Sequence, residues 1–183
     1  MSKMSKLNSK SVTFVIDMLN GFTYEGPLAS SVIAEVIDPI QNYLKDQENI
    51  FFICDSHSET DIEMQQYPNH CIAGSSESLV VPELNKFITK NNIIKKHTTN
   101  GFFTTPKSLL RKFDEYNIVG CCTDICVLQF ALTLKMWLNH TNQDKKVNVI
   151  KNCVATFDLP NHNAKEYNDF ALKLMQNAGI IIK

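Results

Sequence analysis

Residues 116–135 read YNIVGCCTDICVLQFALTLK, and the fold turns on how this stretch is read. Tyr116–Cys121 is a short run rich in Val and Ile, apolar enough for a strand buried on both faces. From Asp124 to Leu138 the apolar residues recur with helical spacing, so a strand gives way to a helix near Thr123 or Asp124. The same alternation extends outward in both directions. Val12–Asp17 (VTFVID), Ile50–Cys54 (IFFIC), Asn92–Lys95 (NIIK), Val147–Ile150 (VNVI) and Ile180–Ile182 (III) are short β-type runs. Helical patterns lie between them over Ser31–Lys45, Pro106–Phe113 and Asn163–Asn177. Pro39 is expected to kink or split the first of these, Pro106 to open the second, and Gly179 to stop the third. Strands alternating with helices predict an α/β protein: a three-layer α/β/α sandwich around a mainly parallel six-stranded sheet, built as one domain over residues 1–183.

Composition narrows the class. The chain is 44% hydrophobic and 20% charged with a net charge of −1, which argues against disorder, a nucleic-acid surface and a polybasic membrane patch. No apolar run approaches the ~20 residues that cross a bilayer. The start, MSKMSKLNSK, is polar and lacks the apolar core of a secretory signal. The six cysteines show no paired metal-finger spacing, so reduced thiols and a cytoplasmic location are expected.

In doubly wound sheets the ligand crevice lies beyond the carboxyl ends of the strands. Here those ends deliver polar groups one after another. Asp17 closes the first strand, Asp55 and His57 follow the second, Lys96 closes the third, and Cys121 to Cys126 follow the fourth. Cys126 falls in a first helical turn, where the helix dipole and free N–H groups lower a thiol pKa and can hold an oxyanion. A buried structural cysteine is the competing reading. Asp17 suits a general base but equally a turn or cap, and of Lys95 and Lys96 the former reads as surface. Asp55-Ser56-His57 and His70 form a plausible carboxylate–imidazole set for Zn, Fe or Mn, with Glu63 as a further oxygen donor; Asp-x-His alone is weak, and loop histidines on the surface are the alternative. His97, His140 and His162 have no matching partners and read as surface or packing residues. Ser56–Ser78 is the longest irregular stretch, a length usually functional in a compact domain.

Taken in order, VIDMLNGF, CDSH, YPNHCIAG, KHTTNGFFTT and GCCTDICV resemble the isochorismatase-like cysteine hydrolases and, within them, the nicotinamidases. The likeness covers nearly the whole chain. It implies Cys126 as nucleophile, Asp17 as general acid and base, and Lys96 as the assisting cation. It also implies a cis peptide bond between Cys121 and Cys122, with the N–H groups of Cys122 and Cys126 as oxyanion hole. Phe22 and Tyr67 take the positions that flank the pyridine ring, and Asp55, His57, His70 and Glu63 those that hold a divalent metal, zinc foremost. Tyr67 stands where Trp or Phe is more usual, and the loop from His57 to His70 is shorter than in many members. The reaction implied is hydrolysis of nicotinamide to nicotinate and ammonia through a thioester, within NAD salvage, in a family where dimers and tetramers are common. Two alternatives stay open: a relative acting on a ureido, carbamoyl or vinyl-ether compound, and a metal- or ligand-binding protein without turnover.

Overall fold

The computed structural model describes residues 10–183, so the polar start, Lys10 excepted, lies outside the described residues. Six strands form one parallel sheet: β1 (Ser11–Ile16), β2 (Ile50–Asp55), β3 (Ile93–Lys96), β4 (Glu115–Cys121), β5 (Lys146–Ala155) and β6 (Ile181–Ile182), in the order β3-β2-β1-β4-β5-β6. The chain builds outward from β1 in one direction and then from β4 in the other. Their shared carboxyl edge is therefore the topological switch point, where a crevice opens between diverging connections.

Helices α1 (Asn20–Thr23), α2 (Ser31–Ala34), α3 (Ile37–Leu44), α4 (Lys107–Leu110), α5 (Leu128–His140) and α6 (Ala164–Asn177) cover the two faces. Alternation along β1 divides the core between them. Val12, Phe14 and Ile16 pack with α5 and α6, through Phe130, Leu134 and Met175, while Val15 packs with α3, through Ile37, Ile40 and Leu44. Burial on both faces is why the strands read as continuous apolar runs rather than alternating ones. Among the described residues no helix is long and apolar enough to cross a membrane.

Several elements differ from the expectation. Ser31–Lys45 is two helices, but the break falls at Glu35–Val36, ahead of Pro39. Pro39 occupies the first turn of α3, where a missing N–H costs no intrahelical bond. The helix expected over Pro106–Phe113 is a single turn, with Pro106 extended before it (φ −60°, ψ 126°). The buried Tyr116 hydroxyl donates to the carbonyls of Leu110 and Phe113 (2.8 and 3.1 Å), satisfying that early ending from the side. β5 runs five residues past the predicted Ile150, through exposed Lys151 and Asn152, because a bulge shifts its register against β4. The helix expected from Asp124 starts as a π-helical turn, Thr123–Val127, before α5 begins. α6 matches its prediction: Asn163 caps it by accepting the Glu166 N–H, and Gly179 follows at φ +83°.

Candidate active site

Three buried groups meet at the switch point. Asp17 directly follows β1 with a left-handed φ of 51°, which turns its carboxylate across the strand ends rather than into a helix. Its Oδ1 accepts the Asp55 N–H at 2.9 Å, and its Oδ2 lies 2.8 Å from Lys96 Nζ. Lys96, the last residue of β3, also reaches Asp55 Oδ1 at 2.5 Å and donates to Cys126 Sγ at 3.8 Å. The thiol and the Asp17 carboxylate each act on the other's ionisation. None of these three side chains comes from the same element. Backbone geometry at β4 makes the meeting possible: Gly120 has φ +116°, and a Cβ there would stand 2.0 Å from the Ile16 carbonyl oxygen. One residue further on, the Cys121–Cys122 peptide bond is cis.

The electrostatics differ from the expectation for Cys126. Its place in a first helical turn predicts a lowered thiol pKa; instead burial pushes it well above the ordinary value, against the pull of the Lys96 ammonium. The resting group is therefore a thiol that needs a base. Asp17 has that character. Burial first and the Asp55 carboxylate second raise its pKa to about 6, against the opposing Lys96 charge. Lys96 stays protonated: burial works against its charge, but the carboxylates of Asp17 and Asp55 outweigh it. The carboxyl of Asp55 is the opposite case to Asp17, held well below the usual range because Lys96, His57 and His70 outweigh its burial.

Beside this triad, Asp55, His57 and His70 offer ligand atoms within 4.8 Å of one another, all from buried residues. Their other contacts fit a divalent cation. His57 Nδ1 is held by Asp61 Oδ2 at 3.1 Å and His70 Nδ1 by the Pro68 carbonyl at 2.8 Å, which leaves both Nε2 atoms facing the Asp55 carboxylate at 3.2 and 3.7 Å. The His57 Nε2 is buried without a hydrogen-bond partner, an arrangement that costs free energy unless something binds there. Glu63 is not one of this cluster. Its Oε2 accepts the Thr99 N–H at 3.1 Å, and its Oε1 is buried without a hydrogen-bond partner.

A cavity of about 570 Å³ opens over both groups and is lined by Cys126, Cys122, Asp55, His70, Glu63 and the rings of Phe22 and Tyr67. Phe22 and Tyr67 approach the His70 ring edge-on, with centroids at 5.6 and 6.2 Å. All ten residues singled out in the sequence thus lie at or against one site. Two were missed. Asp61 orients His57, and its spacing (four residues after His57, beside Ser58) was an available signal. His162, read as surface or packing, bonds Asp124 in the turn that carries Cys126, and no sequence spacing announces that contact.

A doubly wound parallel sheet with a thiol, a carboxylate and an ammonium buried at its switch point, beside a cation-binding cluster, describes an amidohydrolase. The family of the isochorismatase domain matches residues 11–182, and the chain belongs to that family. It is 29% identical over 176 residues to Nicotinamidase 1 of Arabidopsis thaliana, an alignment covering 83% of this chain and 72% of the relative. The nicotinamidase of Bacillus subtilis superposes with a TM-score of 0.75 at 25% identity, over 94% of this chain and 98% of that one. The pyrazinamidase of Pyrococcus horikoshii in complex with zinc has the same fold, with a TM-score of 0.75 at 22% identity over 95% and 98% of the two chains.

Proposed function

We propose that the protein is a nicotinamidase that hydrolyses nicotinamide to nicotinate and ammonia through a thioester on Cys126. The observation that supports this most directly is the contact of one ammonium, Lys96, with both the buried Cys126 thiol and an Asp17 carboxyl of raised pKa, beneath a ring-lined cavity. In this reading Asp17 takes the Cys126 proton, and the thiolate that forms is stabilised by Lys96. The sulfur adds to the carboxamide carbon, and the resulting oxyanion is held by the N–H groups of Cys122 and Cys126. Protonated Asp17 then gives its proton to the nitrogen, the C–N bond breaks and ammonia leaves. Asp17, again a carboxylate, draws a proton from the water that attacks the thioester. The C–S bond breaks, nicotinate departs and the sulfur recovers its proton. A divalent cation on Asp55, His57 and His70 would supply an electron-pair acceptor for the ring nitrogen. Phe22 and Tyr67 flank the ring, and Glu63, fixed by Thr99, faces the same space.

The charge of the cavity favours a neutral substrate. Among the described residues its lining carries Asp55, Glu63 and Asp158 but no lysine or arginine, and Lys96 beneath is committed to Asp17 and Asp55. A ureido acid would bring its own carboxylate to a lining whose side chains offer no ammonium or guanidinium to pair it, leaving only the bound cation, whereas a ring carboxamide carries no charge that needs pairing. In this reading the substrate comes from reactions that release nicotinamide from NAD, and the activity serves NAD salvage.

The test is ammonia release by the metal-loaded protein from nicotinamide and, separately, from N-carbamoyl amino acids. Nicotinamide should be the better substrate, and Cys126→Ala should abolish turnover while circular dichroism and metal content stay native. Faster release from the ureido acids, or turnover that survives Cys126→Ala, overturns the reading.

A further inference from the structure

We propose that His162 is a positioning residue that latches one wall of the cavity onto the turn bearing Cys126. This rests on the reading of that cavity as the substrate site. The wall is the segment after β5, where Phe157, Asp158 and Leu159 line the cavity. The segment is built as one unit. Leu159 and His162 exchange backbone hydrogen bonds (3.0 and 2.9 Å), and Asp158 Oδ1 accepts the Ala164 N–H at 2.8 Å as α6 begins. From this unit His162 reaches back to Asp124, two residues before Cys126, with Nε2 2.7 Å from Asp124 Oδ2.

The other contacts of the ring fix its orientation. Nδ1 lies 3.0 Å from the Phe157 carbonyl, which can only accept, so Nδ1 carries a hydrogen. Nε2 faces the Asp124 carboxylate, so the ring bridges wall and turn through its two nitrogens. Phe157 stacks on it at 3.9 Å and 14°, and Tyr167 of α6 covers the other face at 3.8 Å and 31°. His162 and Asp124 are largely shielded from water, at 14% and 12% exposure, so their bond is not a solvated surface pair. One imidazole thereby joins three things: the cavity wall, the start of α6 and the turn that presents the nucleophile. With the latch released, the wall loses its tie to the turn and the ring-binding space loses a defined edge.

His162→Phe keeps a flat ring between Phe157 and Tyr167 while removing both hydrogen bonds, and Asp124→Asn removes the charge while keeping the shape. Each should raise KM for nicotinamide about tenfold, the worth of one charge-assisted hydrogen bond, with a smaller change in kcat. Independently of any substrate, alkylation of Cys126 by iodoacetamide, followed by peptide mass mapping, should accelerate several-fold. Cys153, buried and not among the residues that line the cavity, should keep its native rate. If His162→Phe folds but shows native KM and native alkylation at Cys126, the latch is wrong. It is also wrong if Cys153 accelerates in step, since that reports general loosening. Should His162→Phe fail to fold, Asp124→Asn decides alone. Should the native protein not turn over nicotinamide, the alkylation rates still decide the latch while the nicotinamidase reading falls by itself.

Discussion

Lys96 Nζ lies 2.8 Å from Asp17 Oδ2, and both side chains are wholly buried. The same ammonium touches Asp55 Oδ1 and Cys126 Sγ, so a single cation joins the reacting group to the metal-binding group. A buried charge persists only when it is paired, and here one positive charge serves two carboxylates.

Lys96→Met should therefore cost more than activity. It leaves Asp17 and Asp55 facing each other without a counter-charge, a change worth about 3–5 kcal/mol when a buried pair loses one partner. Chemical denaturation should show that loss, together with near-complete loss of amide hydrolysis. Unchanged stability in Lys96→Met would contradict the pairing.

Asp17 gives a pH dependence of definite sign. Its pKa is raised to about 6 by burial and by the Asp55 carboxylate, and only its ionised form can take the Cys126 proton. kcat/KM should rise with pH through about 6. The effect on folding runs the other way. The folded protein binds a proton at Asp17 more tightly than the unfolded chain does, so ionising this group costs stability as pH rises from about 4 to about 6. A cation on Asp55 would weaken one of the two causes, so the metal-loaded enzyme should keep activity to lower pH than the partly stripped one. A kcat/KM that is flat from pH 5 to 8 would exclude Asp17 as the base.

The bond from Asp61 to His57 should be visible as metal affinity. Asp61 fixes which nitrogen of His57 faces Asp55, and removal of such an orienting partner typically weakens binding about 10–100-fold. Competition with a chelator should show that loss for Asp61→Ala and a larger one for His57→Ala, with the fold retained in both. Native metal affinity in Asp61→Ala would mean that the contact does not orient a ligand.

Gly120→Ala should be poorly tolerated although the added group is one methyl. At φ +116°, with the Ile16 carbonyl oxygen 2.0 Å from the added Cβ, strands β1 and β4 must part or twist at their carboxyl ends. The expected cost is about 3 kcal/mol or more, seen in thermal melting, with activity falling in the fraction that folds. A native melting temperature in this variant would show that the strand ends can yield.

Much of this site could be read along the chain because each strand end advertises itself. An ionisable residue directly after a run such as VTFVI or NIIK cannot stay inside a sheet, so Asp17 and Lys96 must sit at its edge. The remaining members, around His57, His70 and Cys126, came from the resemblance of their short motifs, taken in order, to a known family. What sequence missed follows from the same physics. The extension of β5 past Ile150 is polar, because a bulge lets Lys151 and Asn152 face water without ending the strand. The early end of α4 depends on Tyr116, whose hydroxyl arrives from a neighbouring strand to take two carbonyls.

Local pattern alone determined the parallel α/β class and the polar groups that close its strands, since burial and periodicity are properties of neighbours in sequence; which of those groups form a site came from the likeness of the ordered motifs to a known family. Tertiary structure alone decided their ionisation. Cys126 has the position of an acidic thiol but is held protonated by burial, and Asp17 becomes a base of pKa about 6 because burial and, after it, the Asp55 carboxylate brought from another strand raise it. Desolvation and charge act through space, over distances the chain's own order does not encode.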